Sequence, residues 1–314
     1  MNTSLHTAAK VPESMPGLEM VPLVSHEAAD FWKAFVAGRK DQPTGNFVTH
    51  LDRFLREPPE VQQTYFAFKE NERIVGTVRI GSPDPDDPSN SISFFSLVPE
   101  ARGWTRDAIL AAVDPVIGKG AEKVFAAFDD TYREDFAKVG FAVRYERMRM
   151  EASPLVKEPK PDVPMSHPEA MDVDDVAAFL RAAYDGHMEQ QFGMHVGTAE
   201  EWNEYVTSIW KGANGTYLPL ASWLTRDDRG VAAVSLGSQW MGAPLLAEIG
   251  VRKDRRGQGL ARALLVATKN ALVDLGHDRL ALYVTIGNDP AIRLYESIGF
   301  VQAGARNVNA VLEL

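Results

Sequence analysis

The stretch Arg256-Gly257-Gln258-Gly259-Leu260-Ala261 follows the strand-like run Leu245-Leu246-Ala247-Glu248-Ile249-Gly250-Val251 and leads into an apolar helical pattern. Two glycines one residue apart let the backbone approach a ligand closely, and the helix behind them presents unpaired N–H groups and the positive end of its dipole. This is a cradle for a phosphate-bearing cofactor. A P-loop needs Lys followed by Ser or Thr after its last glycine, and Leu260-Ala261 stands there instead. A dinucleotide fingerprint counted from Gly257 and Gly259 needs Gly or Ala where Arg262 stands. Both common phosphate motifs are excluded.

Downstream, Leu260, Leu264, Leu265, Leu272 and Leu275 recur at roughly helical spacing, so one helix face packs on a sheet, and Gly276 stops it. Arg279 to Thr285 alternates as a strand. Then comes Asn288 to Phe300, in which Asp289 suits an N-cap, Pro290 the first helical position and Gly299 a left-handed helix end. Ala291 and Tyr295 share a face one turn apart, so a small residue makes room for a chain-like ligand while a phenol reaches its end.

Arg256, Gly259 and Ala261, then Asn288, Ala291, Tyr295, Gly299 and Phe300, resemble in order the two signatures of the GNAT acetyltransferase superfamily. The resemblance implies acetyl-coenzyme A as cosubstrate. Its pyrophosphate would lie on Arg256, Gly257, Gln258, Gly259, Leu260, Ala261 and Arg262, with Asn288 and Ala291 beside its arm. It also implies that a splayed strand offers a backbone N–H near Ile249, Gly250 or Val251 to the thioester oxygen, and that Tyr295 protonates the departing thiolate. A core tyrosine with a satisfied hydroxyl is the plain alternative for Tyr295. Glu248 is the one carboxylate on the strand entering the cradle, and either serves as base, directly or through water, or faces solvent. Many family members carry their glutamate where Leu245 stands, so strand alternation sets Glu248 on the other face. Tyr283 is expected to pack.

The first half resembles a worn copy of the second. Phe136, Gly140 and Phe141 align with Tyr295, Gly299 and Phe300, and Arg102-Gly103 with Arg256-Gly257. Tyr65 to Phe68 and Arg73 to Ile80 look like strands joined by a turn at Lys69 to Glu72. Thr105 replaces the second cradle glycine, Phe136 lacks a phenol, and Asp129 replaces Asn288. The expected fold is α+β: two tandem GNAT domains, each a mixed, mostly antiparallel twisted sheet flanked by helices. Residues 1–155 would form a degenerate, non-catalytic domain and 156–314 the catalytic one, joined by the Pro-rich segment from Glu151 to Pro168. The layout is similar to that of mycothiol synthases.

Composition narrows the function. The 314 residues are 45% hydrophobic and 24% charged, enough for two ordinary cores. No cysteine is present, which excludes disulfides, thiolate zinc sites and a cysteine acyl-enzyme. A formal net charge of -10 argues against nucleic-acid binding. No apolar run approaches the ~20 residues of a membrane helix, and Met1 to Gly17 lacks a signal-like stretch. A cytoplasmic protein without membrane partners is expected, a homodimer being compatible. The acceptor loop is expected between helices at Asp174 to Tyr184 and Thr198 to Trp210, the latter opened by a Thr198/Glu201 capping box. His187 and His195 in that loop lack zinc spacing, so no metal site is expected and loop packing is the reading for both. Trp202, Trp210, Trp223 and Trp240 are expected in cores. The function that the resemblance implies is acetyl-coenzyme A-dependent N-acetylation of a small-molecule primary amine by direct attack. The alternative is a non-catalytic acyl-coenzyme A-binding sensor.

Overall fold

A computed structural model of the chain describes residues 17–39, 46–81, 91–118, 121–213 and 215–314. The first 16 residues, read above for a signal-like stretch, lie outside the described residues. The chain divides into two compact units, one made of Met1–Arg144 with Ala305–Leu314 and one of Tyr145–Gly304. In order, the elements are β1 (Glu19–Pro22), α1 (Ala28–Ala37), α2 (Phe47–Arg56), α3 (Pro59–Gln62), β2 (Tyr65–Glu70), β3 (Arg73–Ile80), β4 (Ser91–Leu97), α4 (Thr105–Ile117), β5 (Lys123–Asp129) and α5 (Arg133–Val139). There follow β6 (Ala142–Ala152), α6 (Val173–Tyr184), α7 (Ala199–Trp210), β7 (Thr216–Tyr217), β8 (Trp223–Asp227), β9 (Gly230–Trp240) and β10 (Ala243–Val251). The last elements are α8 (Leu260–Asp274), β11 (Leu280–Thr285), α9 (Asp289–Glu296), β12 (Val301–Gln302) and β13 (Asn307–Glu313).

In the first unit β1 to β4 form an antiparallel meander, β4 runs parallel to β5, and β13 closes on β5 antiparallel. One sheet face carries the apolar residues of α4 and α5, and the other an aromatic cluster of Phe31, Trp32, Phe35, Phe54 and Tyr65. In the second unit β7 and β8 pair with β9, β9 with β10, β10 with β11, and β11 with β6, which also takes β12. Its two faces are covered by α8 with α9 and by α6 with α7. In each unit the strand pairing is mixed and mostly antiparallel, as expected.

A single cut at 155/156 does not describe the compact units. β6, on the near side of that cut, pairs with β11 from Leu280↔Ala152 to Thr285↔Arg147, and β13, on the far side, pairs with β5 from Asn307↔Asp129 to Glu313↔Lys123. A strand's alternation shows which residues are buried but carries no information on which sheet it completes. Smaller differences are local. β2 extends to Glu70, so the turn is tightened to Asn71 and Glu72, both at positive φ of 48° and 65°. Two such residues match the right-handed twist of the flanking strands. α9 begins at Asp289 with Asn288 as N-cap, which places Pro290 second in the helix. Leu275 caps α8 and is exposed. Among the described residues no helix is long and apolar enough to cross a membrane.

Candidate active site

β10 and β11 hydrogen-bond as parallel neighbours at one register pair only, Leu245↔Ala281. Beyond it the strands diverge, and the β11-facing edge of Ile249, Gly250 and Val251 opens into a cleft of about 1570 Å³. On the other edge β10 stays paired with β9 as far as Val251↔Ala233. A bulge between Leu246 and Glu248 changes which way this strand faces. Leu246 and Ile249 pack with the α8/α9 core, whereas Ala247 packs with the α6/α7 core and Glu248 faces tyrosines of α6 and α7. One extra residue re-aims a side chain that strict alternation would have set differently. Glu248 is therefore not solvent-facing. It is 5% exposed and lines the cleft, accepting from Tyr184 Oη at 2.5 Å, Tyr205 Oη at 2.9 Å and the Ile249 N–H at 3.0 Å. Its charge, with burial as the larger cause for Tyr184 and the smaller for Tyr205, pushes both phenols above the ordinary tyrosine range.

At the mouth of the cleft lie Arg256, Gly257, Gly259, Leu260, Ala261 and Arg262. Gly257 and Gly259 take φ of +75° and +79°, and the space a Cβ would fill at either is empty. Gly259 is the N-cap of α8 and supplies no side-chain cap, so the first amides of a 15-residue helix are left for another acceptor. The charged side chains here are tied back to protein. Arg256 donates to the Val251 and Ala183 carbonyls at 3.3 and 2.8 Å, and Arg262 to Ser297. Gln258 bonds the Asp254 carbonyl and is not part of the cleft lining. The nest is made of backbone.

Asn288, Ala291 and Tyr295 line the same cleft from α9. Tyr295 is 7% exposed, and its hydroxyl is bonded to no other described residue. Burial, then the charges of Glu248 and Glu189, push this phenol above its ordinary range, so it stays protonated at neutral pH. The Asn288 amide lies 3.4 Å from His187 Nε2.

The loop between α6 and α7 holds residues whose roles the sequence did not reveal. His187 and His195 both line the cleft, gathered around a buried carboxylate, Glu189. Glu189 lies 2.9 Å from His195 Nε2 and accepts from Thr285 Oγ1, which pins the loop to the end of β11. His195 stacks on Tyr184 at 3.9 Å and is held at φ of +54°. The polar, glycine-punctuated composition signalled a binding loop, but nothing in it singled out Glu189. The Thr198/Glu201 capping box forms in both directions, and Trp202 is buried behind it. Tyr283, expected to pack, is 43% exposed and lines the cleft. Among the described residues no group of three His, Asp or Glu is placed to hold a metal.

Burial alone would raise the Glu189 carboxyl, but hydrogen bonds from His195 and Thr285, with the charges of His195 and Arg147, outweigh it and bring it from 4.5 to about 2. The folded value lies below the unfolded one, so the carboxylate's contribution is complete above about pH 4.5 and lost as pH falls through about 2. The stability gap between the wild type and Glu189→Gln should narrow by roughly 3 kcal/mol on acidification through that window. Urea titrations from pH 6 downward check this, and a gap independent of pH refutes it.

The matching crevice of the first unit is filled from within. β4 and β5 also pair at one end only, Ser91↔Phe125 and Ile92↔Ala126. Tyr132 stands where the second unit has Ala291, and its Oη accepts the Leu97 N–H at 2.7 Å, at the position matching Val251. Arg102 lies over the Tyr132 ring at 4.1 Å and donates to Gly38. Phe136 is stacked on Phe128 at 3.8 Å, Thr105 bonds the Arg102 carbonyl at 2.7 Å, and buried Asp129 lies 3.8 Å from Arg39.

Residues 175–300 match the acetyltransferase (GNAT) family. That segment is similar to a GNAT acetyltransferase domain. Mycothiol acetyltransferase of Clavibacter sepedonicus is 33% identical over 138 residues, 43% of this chain and 41% of that protein. Mycothiol acetyltransferase of Arthrobacter sp. (strain FB24) is 29% identical over 187 residues, 53% of this chain and 52% of that protein. The aligned segments thus span about half or less of these relatives' lengths. The fold is that of a GCN5-related N-acetyltransferase from Sphaerobacter thermophilus, with a TM-score of 0.73, 18% identity and coverage of 94% of this chain and 95% of that one. A tandem GNAT protein from the clavulanic acid biosynthesis pathway superposes with a TM-score of 0.67 at 17% identity, covering 94% of this chain and 98% of that one. The layout is therefore a tandem of GNAT folds, and every residue lining the cleft except Arg147 lies within the segment that matches the family.

Proposed function

We propose that the second GNAT unit transfers an acetyl group from acetyl-coenzyme A to the primary amine of a small molecule by direct attack. The observation that carries this reading is the divergence of β10 from β11, with a backbone phosphate nest at its mouth and the Tyr295 hydroxyl in the same cleft. The relatives named mycothiol acetyltransferases support acetyl transfer.

The nest fits a diphosphate because its donors are main-chain amides beside two glycines with open space above them. Acetyl-coenzyme A, when bound, supplies the thioester and a thiolate leaving group. The open edge of β10 accepts its amide-bearing arm as an added strand. The Ile249 N–H is engaged by Glu248 and the Gly250 N–H points toward β9 in the β9–β10 ladder, so the Val251 N–H is the amide left to face the thioester oxygen. Both Glu248 oxygens are bonded, and its proton-accepting role runs through a tyrosine: the amine's proton passes to the Tyr184 or Tyr205 hydroxyl as the phenol proton moves onto the carboxylate. Tyr295 gives its proton to the departing sulfur. The first unit, with Tyr132 in its crevice and Phe136 in its core, takes no part in the chemistry.

The test is release of free thiol from acetyl-coenzyme A against a panel of amines. Amine-dependent thiol release is the expected result. Cofactor binding without thiol release makes the protein an acyl-coenzyme A sensor, and absence of cofactor binding overturns both readings.

A further inference from the structure

Resting on that acetyl-transfer reading, we propose that the acceptor carries a carboxylate as well as its amine, and that Arg147 is the residue that binds it.

Arg147 comes from β6, where it faces Thr285 across the β6–β11 pair. Directly opposed residues share a sheet face, and Thr285 is the residue that clamps Glu189. The next residue, Met148, lies on the other face, in the α8/α9 core. The guanidinium of Arg147 thus lines the cleft on the side of the acceptor loop. Its charge acts on Glu189, Tyr205 and Tyr295. Among the described residues it forms no hydrogen bond or ion pair, and its Nε–H is enclosed without an acceptor. Its guanidinium lies 5.9 Å from the centre of the Tyr283 ring. Two residues along the same strand, Arg149 is paired with Glu151 at 2.5 Å, whereas Arg147 has no such partner among the described residues.

A buried polar donor without a partner is uncommon, and a functional cleft is where one persists. The planar fork of a guanidinium matches a carboxylate through two parallel N–H bonds. Phosphate is disfavoured, because the carboxylates of Glu189 and Glu248 line the same cleft and repel a dianion facing a single cation. The same cleft is lined by the aromatic rings of Tyr184, Trp202 and Tyr205, the last of which feels the charge of Arg147, a surface suited to the face of a cationic amine. Cation-accepting wall and anion-binding fork together describe a zwitterionic acceptor of amino-acid type.

The experiment compares glycine, β-alanine, glutamate and phenylalanine, each beside its primary amide, in the thiol-release assay and by calorimetry. The carboxylate member of at least one pair should be preferred by about 10- to 100-fold in kcat/KM and in affinity, the span of a charged hydrogen bond. In Arg147→Gln that ratio should collapse toward one, and Arg147→Lys, which keeps the charge without the fork, should fall between. If Arg147→Gln does not fold, the lysine variant carries the test. Equal use of both members, a preference for the amides, no binding of any pair, or a ratio untouched by the variants overturns the proposal. Selective binding of a carboxylate member without thiol release sinks acetyl transfer and leaves the anion site standing; thiol release with no carboxylate preference does the reverse.

Discussion

Gly259→Val should weaken binding of coenzyme A by about 10²-fold or more while the protein remains folded. Gly259 holds φ of +79°, a conformation a β-branched residue adopts only at a cost of about 1–3 kcal/mol. In the free protein the loop relieves that strain by relaxing, since nothing lies within 4 Å of the added Cβ. The loss is felt when the nest must re-form around a diphosphate, whose oxygens would occupy the same space as the valine methyls. Gly259→Ala should give a smaller loss of the same kind, from the backbone strain alone. Calorimetric titration with coenzyme A, alongside thermal melts to confirm folding, decides it. An unchanged affinity in a folded Gly259→Val protein would mean that the diphosphate is held elsewhere.

Tyr295→Phe should lower kcat by about 10²–10⁴-fold, the span associated with losing a positioned general acid. The ring fills its place beside Phe300 with or without the oxygen, so packing and cofactor affinity should change little. The hydroxyl has no protein partner among the described residues and stays protonated because of burial and the nearby carboxylates. Single-turnover measurement separates proton delivery from product release, and activated acyl donors with acidic leaving groups should restore much of the lost rate. Undiminished turnover with coenzyme A would transfer the acid role to water or to another phenol.

The phosphate cradle and the α9 motif were legible because each is a local backbone demand. Gly257 and Gly259 adopt left-handed conformations that few other residues accept, and Gly299 does the same after α9 at φ of +92°. The worn repeat was legible too, through Phe136 and Thr105 standing where a phenol and a glycine would be. The acceptor side was not. Glu248 faces α6 and α7 because of one bulge, and a bulge leaves no mark in a strand of apolar residues. His187 and His195 looked like packing residues because Thr285, the group that completes their cluster with Glu189, lies on a different strand.

From its residues alone this chain announces a tandem layout and where a diphosphate would rest, since turn chemistry and helix starts are written within a few consecutive positions. The ownership of β6 and β13, the direction of Glu248, the clamp on Glu189 and the place of the Arg147 guanidinium were decided in three dimensions. Each depends on pairing between segments far apart in the chain, where alternation and composition are degenerate and the closing of the sheets makes the choice.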